Sequence, residues 1–191
     1  MNLSAVVLAG GKSSRMGRDK ARLEIGGQPS LARQIQLVKE IGAGEVFISG
    51  RAGENYEEFG CPVLSDRFRD AGPLAGIERA LATASLSRLL VVAVDMPNLT
   101  PDIFHQLIER GGETMGVISR VDGQIEPLAA IYPKAAWNLA VSLLGNGIYA
   151  TKTFARRCVR DGLAVFCDFD APAARHFASW NRPADALSGV V

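Results

Sequence analysis

The chain has too few cysteines to form a disulfide framework. Three occur in 191 residues, and no two of them have the Cys-x-x-Cys spacing that metal and redox sites use. These absences exclude a disulfide-rich fold and argue against a structural zinc site. We therefore expect Cys61, Cys158 and Cys167 to be reduced, structural thiols.

The chain also lacks an excess of basic charge and a long hydrophobic run. Lysine and arginine total 21 against 20 acidic residues, whereas a dedicated nucleic-acid-binding domain normally carries a basic excess. No apolar run approaches the roughly 20 residues that span a bilayer. The apolar run 5–9 is too short for a secretory signal and has no basic segment before it. We expect a cytoplasmic protein that binds neither nucleic acid nor membrane.

Short apolar runs alternate with amphipathic stretches along most of the chain. This alternation predicts one α/β domain over residues 1–191, with three layers (α/β/α) and a mostly parallel, Rossmann-like sheet. The region 146–174 is less periodic. The predicted strands are 3–9, 46–49, 63–65, 89–94, 115–119, 128–132 and 163–166, and the predicted helices are 31–41, 73–84, one opening at Pro101, 135–144 and 183–187.

Three polar segments follow predicted strands. They are 10–20, 66–76 and 95–97. Ligands of open parallel sheets bind outside the carboxyl ends of the strands. We therefore expect these three segments to converge on one ligand site.

The first of these segments is rich in glycine and cationic residues. Gly10 and Gly11 directly follow the first strand, and paired glycines let successive backbone N–H groups surround phosphate oxygens. Arg15 offers a planar fork for phosphate, and Lys20 offers a compact positive charge. The glycine spacing matches neither a Walker A loop nor the GxGxxG fingerprint. The segment predicts triphosphate binding by a different arrangement.

Five blocks of the sequence carry a resemblance to a known family. They read LAGGKSSRMGRDK, GPLAGI, VVAVDMPNLTP, EPLAAIY and FASWNRPADAL. Together they resemble the molybdenum cofactor guanylyltransferase family, within the larger nucleotidyltransferase superfamily, and the resemblance is weak over 146–174. It implies a nucleotidyltransferase fold, with Mg²⁺ as cofactor. The implied reaction transfers GMP from GTP to the phosphate of the molybdopterin-bound molybdenum cofactor and releases pyrophosphate. Molybdoenzymes or cofactor-delivery proteins are the further partners that it implies.

Individual positions take roles from the same resemblance. Asp95 ends an apolar strand, and a carboxylate on a rigid strand end suits Mg²⁺; the matching family aspartate binds that ion. Asp66 matches an aspartate near the guanine or ribose. Ser49 stands where the family commonly has an asparagine. The predicted catalytic residues are Arg15, Lys20 and Asp95, and the predicted nucleotide-binding residues are Leu8, Ala9, Gly10, Gly11, Lys20, Ser49, Asp66, Gly72, Gly76, Asp95 and Asn181.

Three other functions stay open at this point. The sister cytidylyltransferases tend to carry LAAG where this chain has LAGG at 8–11, which favours GTP. Sugar-phosphate nucleotidyltransferases usually add a further domain or a longer C-terminal part. A non-catalytic nucleotide or cofactor carrier would keep the glycine segment but would not need Asp95.

Overall fold

A seven-stranded sheet organises the part of the chain that the structure describes. The computed structural model describes residues 2–10, 19–50 and 54–180. The spatial order of the strands is β5-β4-β1-β6-β8-β7-β9, and a two-stranded hairpin, β2–β3, lies outside this sheet. The strands are β1 (Leu3–Leu8), β2 (Glu24–Ile25), β3 (Gln28–Pro29), β4 (Glu45–Ser49), β5 (Val63–Leu64), β6 (Arg88–Ala93), β7 (Gly116–Val121), β8 (Gln124–Pro133) and β9 (Ala164–Phe169).

Helices cover both faces of the sheet. Each has an apolar side that joins one of two cores: α1 and α3 pack on one face, and α2, α4 and α5 pack on the other. The predicted three-layer α/β/α fold is confirmed. No helix in the described ranges is long and apolar enough to cross a membrane. The helices are α1 (Ser30–Glu40), α2 (Pro73–Thr83), α3 (Pro101–Gly111), α4 (Trp137–Gly145) and α5 (Thr151–Arg160).

The topology creates a crevice between β1 and β6. From β1 the chain proceeds to β4 and β5 on one side, and then crosses to β6 on the other side of β1. β1 pairs in parallel with both neighbours, so the carboxyl ends of β1, β4 and β6 lie at one edge of the sheet. A reversal of this kind is where open α/β sheets bind ligands. The described residues of the three polar segments follow strands that end at this edge, and their convergence on one ligand site stays a prediction.

The structure corrects the sequence prediction in the second half of the chain. The region 146–174, which looks aperiodic, contains the ten-residue helix α5. Its apolar residues Phe154, Ala155 and Cys158 are buried, but the basic residues around them mask the pattern. β8 is longer than the predicted strand and runs antiparallel to both of its neighbours, β6 and β7. The predicted last helix, 183–187, lies outside the described residues.

A glycine in α2 allows close packing of that helix on the sheet. A Cβ atom at Gly76 would lie 2.3 Å from Ser49 Oγ and 3.0 Å from Leu8 Cδ2. Gly76 is buried within the helix, at its fourth residue, and glycine inside a helix is unfavourable by about 1 kcal/mol relative to alanine. Its presence there is explained by the close approach of Ser49, at the end of β4.

A buried carboxylate joins α2 to the loop that follows β5. Glu78 is completely buried and accepts hydrogen bonds from two side chains. Trp137 Nε1 donates to its Oε1 at 2.7 Å. Arg67 pairs with the same oxygen through Nη2, and its Nε lies 3.4 Å from Oε2. A buried charge is tolerated when it is paired and hydrogen-bonded in this way. The ion pair therefore fixes the loop next to Asp66.

The first testable prediction concerns this ion pair. We expect Arg67→Ala to lower the free energy of unfolding by about 1–3 kcal/mol, because Glu78 loses a charged partner inside the protein. The arginine is itself half exposed, which keeps the loss below that of a fully buried pair. Urea unfolding measures the change. Arg69→Ala, an exposed arginine in the same loop, is the control and should stay within about 0.5 kcal/mol. Equal losses in both variants would contradict the role of Glu78.

The second prediction sets helix propensity against steric overlap at Gly76. Alanine is the better helix former, yet we expect Gly76→Ala to destabilise the protein by about 1–3 kcal/mol, since its Cβ overlaps Ser49 Oγ. Adding Ser49→Ala should restore part of the loss. Gly145→Ala is the control, because a Cβ at this position in α4 would meet nothing within 4 Å. If thermal unfolding shows Gly76→Ala to be as stable as Gly145→Ala, the close packing is wrong.

Candidate active site

An ion pair spans the crevice between the segment after β1 and the loop after β6. Lys20 Nζ lies 2.9 Å from Asp95 Oδ2, and the two side chains are 21% and 25% exposed. Lys20 opens a short 3-10 turn, Lys20–Arg22, and Asp95 stands two residues beyond the end of β6. The two residues are 75 positions apart in sequence. The structure therefore brings together two of the three predicted catalytic residues.

Helix α1 and Trp180 hold the backbone around Asp95. Ser30 Oγ donates to the Val94 carbonyl oxygen at 2.5 Å, and Gln34 Nε2 donates to that of Met96 at 2.7 Å. The Trp180 N–H donates to the carbonyl oxygen of Asp95 itself at 2.8 Å. Backbone acceptors on both sides of the carboxylate are thereby satisfied. Asp95 is presented from a loop with little freedom to move.

The backbone at the end of β1 is already hydrogen-bonded to β4. The N–H groups of Ala9 and Gly10 both donate to the Ser49 carbonyl oxygen, at 2.9 and 3.0 Å. The Leu8 carbonyl oxygen accepts from the Val94 N–H at 3.1 Å. These three predicted nucleotide contacts therefore lie at the crevice, but their hydrogen-bonding groups are used within the protein.

A second pair of predicted residues meets at the end of β4. Ser49 Oγ lies 3.5 Å from Asp66 Oδ1, a long hydrogen bond. Desolvation of the carboxyl group raises the pKa of Asp66, the Ser49 hydroxyl opposes this, and the negative charge of Glu78 adds to it. Asp66 as a residue is nevertheless exposed, so the carboxyl group is only partly desolvated. The arrangement suits an acceptor for N–H groups of a base.

Two predicted nucleotide-binding glycines lie at the start of α2, Gly72 just before it and Gly76 within it. Gly72 has a positive φ of 68° directly before the helix, a conformation that side chains rarely adopt. Gly76 packs directly against Ser49, as described above. Gly76 is therefore next to Ser49 at the end of β4. Gly11, Arg15 and Asn181, the other predicted site residues, lie outside the described residues.

Two residues near Lys20 were missed by sequence reasoning. Asp19 Oδ1 accepts a hydrogen bond from the Ala21 N–H at 3.0 Å, and its Oδ2 accepts one from the Tyr56 hydroxyl at 3.0 Å. An aspartate just before a turn is a common capping residue, so Asp19 had a local signal. Tyr56 lies 37 residues away, and nothing in its local sequence indicates the contact.

Another concave surface lies away from these residues. A groove of about 710 Å³ runs between α3, the end of β9 and the 3-10 segment Ala171–Phe177. Its lining includes none of the predicted site residues that the structure describes. The candidate site is therefore identified by its charged groups and by the strand ends, not by the size of a cavity.

The residues at the site fit a magnesium ion held largely by a substrate. Across the described ranges, no group of three or more His, Cys, Asp or Glu side chains could enclose a metal. Asp95 supplies one carboxylate, which suits Mg²⁺ because this ion usually binds one or two carboxylates, several waters and substrate phosphates. The donor set therefore matches a metal that arrives with a phosphate ligand.

Comparison with known proteins gives a consistent family assignment. The model of the MobA-like NTP transferase domain matches residues 5–161. A probable molybdenum cofactor guanylyltransferase of Opitutus terrae is 37% identical over 96% of this chain and 92% of its own. Its counterpart from Mycobacterium ulcerans is 34% identical over 99% and 96%.

A solved structure supports the fold. The molybdopterin-guanine dinucleotide biosynthesis protein A of Archaeoglobus fulgidus superimposes with a TM-score of 0.75, at 20% identity, covering 96% of this chain and 95% of its own. Since the family model spans most of the chain and the curated relatives align along nearly all of it, this protein belongs to the MobA-like NTP transferase family.

Proposed function

We propose that the chain is a molybdenum cofactor guanylyltransferase that uses Mg²⁺ and acts in the cytoplasm. It transfers GMP from GTP to the terminal phosphate of molybdopterin-bound molybdenum cofactor. The observation that carries the proposal is the pairing of Lys20 with Asp95, at 2.9 Å, across the β1–β6 crevice. A cation and a carboxylate held together at that edge suit a triphosphate and its metal counter-ion. The curated relatives named for this activity align with nearly the whole chain.

The reaction needs charge neutralisation more than acid–base chemistry. A phosphate oxygen of the acceptor attacks the α-phosphorus of GTP, the bond to the β-phosphate oxygen breaks, and pyrophosphate leaves with the electron pair. Because the attacking oxygen is already anionic, no general base is required. Positioning and preorganised charge then provide the catalysis. Lys20 would neutralise phosphate charge, and Arg15 would add a second cation from the glycine-rich segment.

The metal would be held by Asp95 together with the phosphates of GTP. When bound, Mg²⁺ supplies additional positive charge to the phosphate oxygens. The hydrogen bonds from α1 and Trp180 to the backbone around Asp95 keep this carboxylate at a constant position. The protein therefore provides a preformed ligand, and the nucleotide completes the site.

Recognition of the base would fall to Asp66 and Ser49. An ionised carboxylate accepts hydrogen bonds from guanine N1–H and N2–H₂ together, and cytosine cannot offer the same pair. Ser49 and Gly76 would set the distance of the base from β4, because they are packed against each other. LAGG at 8–11 is also the sequence that guanylyl enzymes tend to carry. Cytidylyl transfer is the alternative to be tested.

A non-catalytic carrier of nucleotide or cofactor is the alternative from another class. Such a protein would not need Asp95 held rigidly in front of a lysine, and here both residues are present and in contact. Delivery of the product to molybdoenzymes or to cofactor-delivery proteins is compatible with catalysis. Pyrophosphate release on mixing GTP, Mg²⁺ and the molybdenum cofactor separates an enzyme from a carrier.

The third prediction tests the central ion pair. We expect Asp95→Asn and Lys20→Ala each to lower kcat by about 10²–10³-fold, because each removes charge that stabilises the transition state. Both variants should remain folded by circular dichroism. Asp102→Asn, an exposed carboxylate in the first turn of α3, is the control and should keep its rate. Pyrophosphate release reports the rate, and near-wild-type turnover in either site variant would reject the assigned roles.

The fourth prediction concerns base selectivity. In a competition of GTP, CTP, UTP and ATP against a fluorescent nucleotide, GTP should bind most tightly, and tighter CTP binding would overturn the choice of base. Asp66→Asn should reduce the GTP preference by about 10–100-fold, because a well-formed two-point contact contributes about 1–3 kcal/mol of discrimination. Asp70→Asn, in the same exposed loop, is the control with the same change of charge.

A further inference from the structure

The short turn that carries Lys20 is attached to a distant segment of the chain. Asp19 caps this turn, Lys20–Arg22, through the Ala21 N–H, and its other carboxylate oxygen accepts the Tyr56 hydroxyl at 3.0 Å. Arg22 Nη2 donates to the Asn55 carbonyl oxygen at 2.8 Å, and Arg22 Nη1 pairs with Glu58 at 2.5 Å. The segment 54–59 thus contacts the turn on both sides of Lys20.

These contacts differ in their environment. The pair between Arg22 and Glu58 is about half exposed, and exposed ion pairs contribute little to holding a structure in place. The Tyr56 side chain is completely buried, so its hydroxyl makes its hydrogen bond away from solvent. A buried hydrogen bond to a charged acceptor is among the stronger kinds. Tyr56 therefore provides the buried contact between this segment and Asp19.

The ring of Tyr56 also fixes its position relative to the sheet. A Cβ atom at Gly50 would lie 2.7 Å from Tyr56 Cε2 and 2.8 Å from Cδ2. The ring therefore lies directly against the backbone at the end of β4, one residue after Ser49. One side chain touches both the base side of the crevice and the residue that precedes Lys20.

We propose that Tyr56 is a positioning residue for Lys20, acting through Asp19. The Tyr56 hydroxyl holds the Asp19 carboxylate, Asp19 holds the turn, and the turn presents Lys20 Nζ to Asp95. A lysine side chain has many rotamers, so its efficiency depends on where its backbone is held. This inference rests on the proposed transfer reaction, since it deepens the role of Lys20 in it.

Tyr56→Phe tests the proposal, because it removes the hydroxyl and leaves the ring against Gly50. We expect kcat for guanylyl transfer to fall about tenfold with KM for GTP changed less than about twofold, as displacing a catalytic group affects the transition state most. Tyr132→Phe is the matched control. Its hydroxyl is also buried and donates to the Pro127 carbonyl oxygen at 2.9 Å, so stability should fall similarly while kcat is kept.

A double-mutant comparison shows whether the loss of kcat in Tyr56→Phe depends on Asp19. If it does, Asp19→Ala combined with Tyr56→Phe should be no slower than Asp19→Ala alone, because the hydroxyl has then lost its acceptor. If the kcat losses of the two single variants multiply in the double variant, the proposal is overturned. A kcat for Tyr56→Phe equal to that of Tyr132→Phe would also overturn it.

A spectroscopic measurement gives a readout that does not depend on activity. After ¹³C reductive methylation of the lysines, the Lys20 signal, assigned with Lys20→Arg, should differ from those of exposed lysines because Nζ lies beside Asp95. In Tyr56→Phe the Lys20 signal should move toward the signals of the exposed lysines. An unchanged Lys20 signal would count against a positioning role for Tyr56. If the wild-type protein transfers no nucleotide, the proposed function fails while this signal still decides the role of Tyr56.

Discussion

The parallel pairing of β1 with β6 is the constraint on which the candidate site depends. The register sets Leu8 opposite Ala93, so the segments after the two strands leave the sheet side by side. Lys20 and Asp95 can then meet across the crevice although they are far apart in sequence. The two strands are buried along their whole length and contribute to the cores on both faces, so shifting their register would disrupt close packing on both sides of the sheet. The same hydrophobic packing that stabilises the sheet therefore places the two charges.

Around this pairing, polar side chains hold the loops by their backbones. Ser30 and Gln34 of α1 donate to carbonyl oxygens on either side of Asp95, and the backbone N–H of Trp180 donates to the carbonyl oxygen of Asp95. On the other side, Glu78 fixes the loop of Asp66 through Arg67. Each of these two carboxylates thus lies in a loop that hydrogen bonds or an ion pair attach to a neighbouring helix. Such support keeps a site in its productive geometry before the ligand arrives.

The sequence predicts the parts of the molecule that local patterns determine. Runs of apolar residues give β1, β4 and β6 to within a residue or two, and polar residues at their ends indicate Lys20 and Asp95. The helix α5 was missed because its basic residues conceal a short buried stripe. The reversed direction of β8 and the contact of Tyr56 with Asp19 depend on pairing between distant segments, which no local pattern reports.

The reversal of β8 has a consequence for how the crevice can vary. Because β8 is antiparallel to β6, its first residues extend beyond Ala93, and the turn at Asp122–Gly123 projects at the same edge as Asp95. Both turn residues have positive φ, as in a tight hairpin that a longer loop could replace. Surface loops accept added residues at little entropic cost. Lengthening this hairpin would reshape the rim at this edge of the sheet and leave the central strands in register.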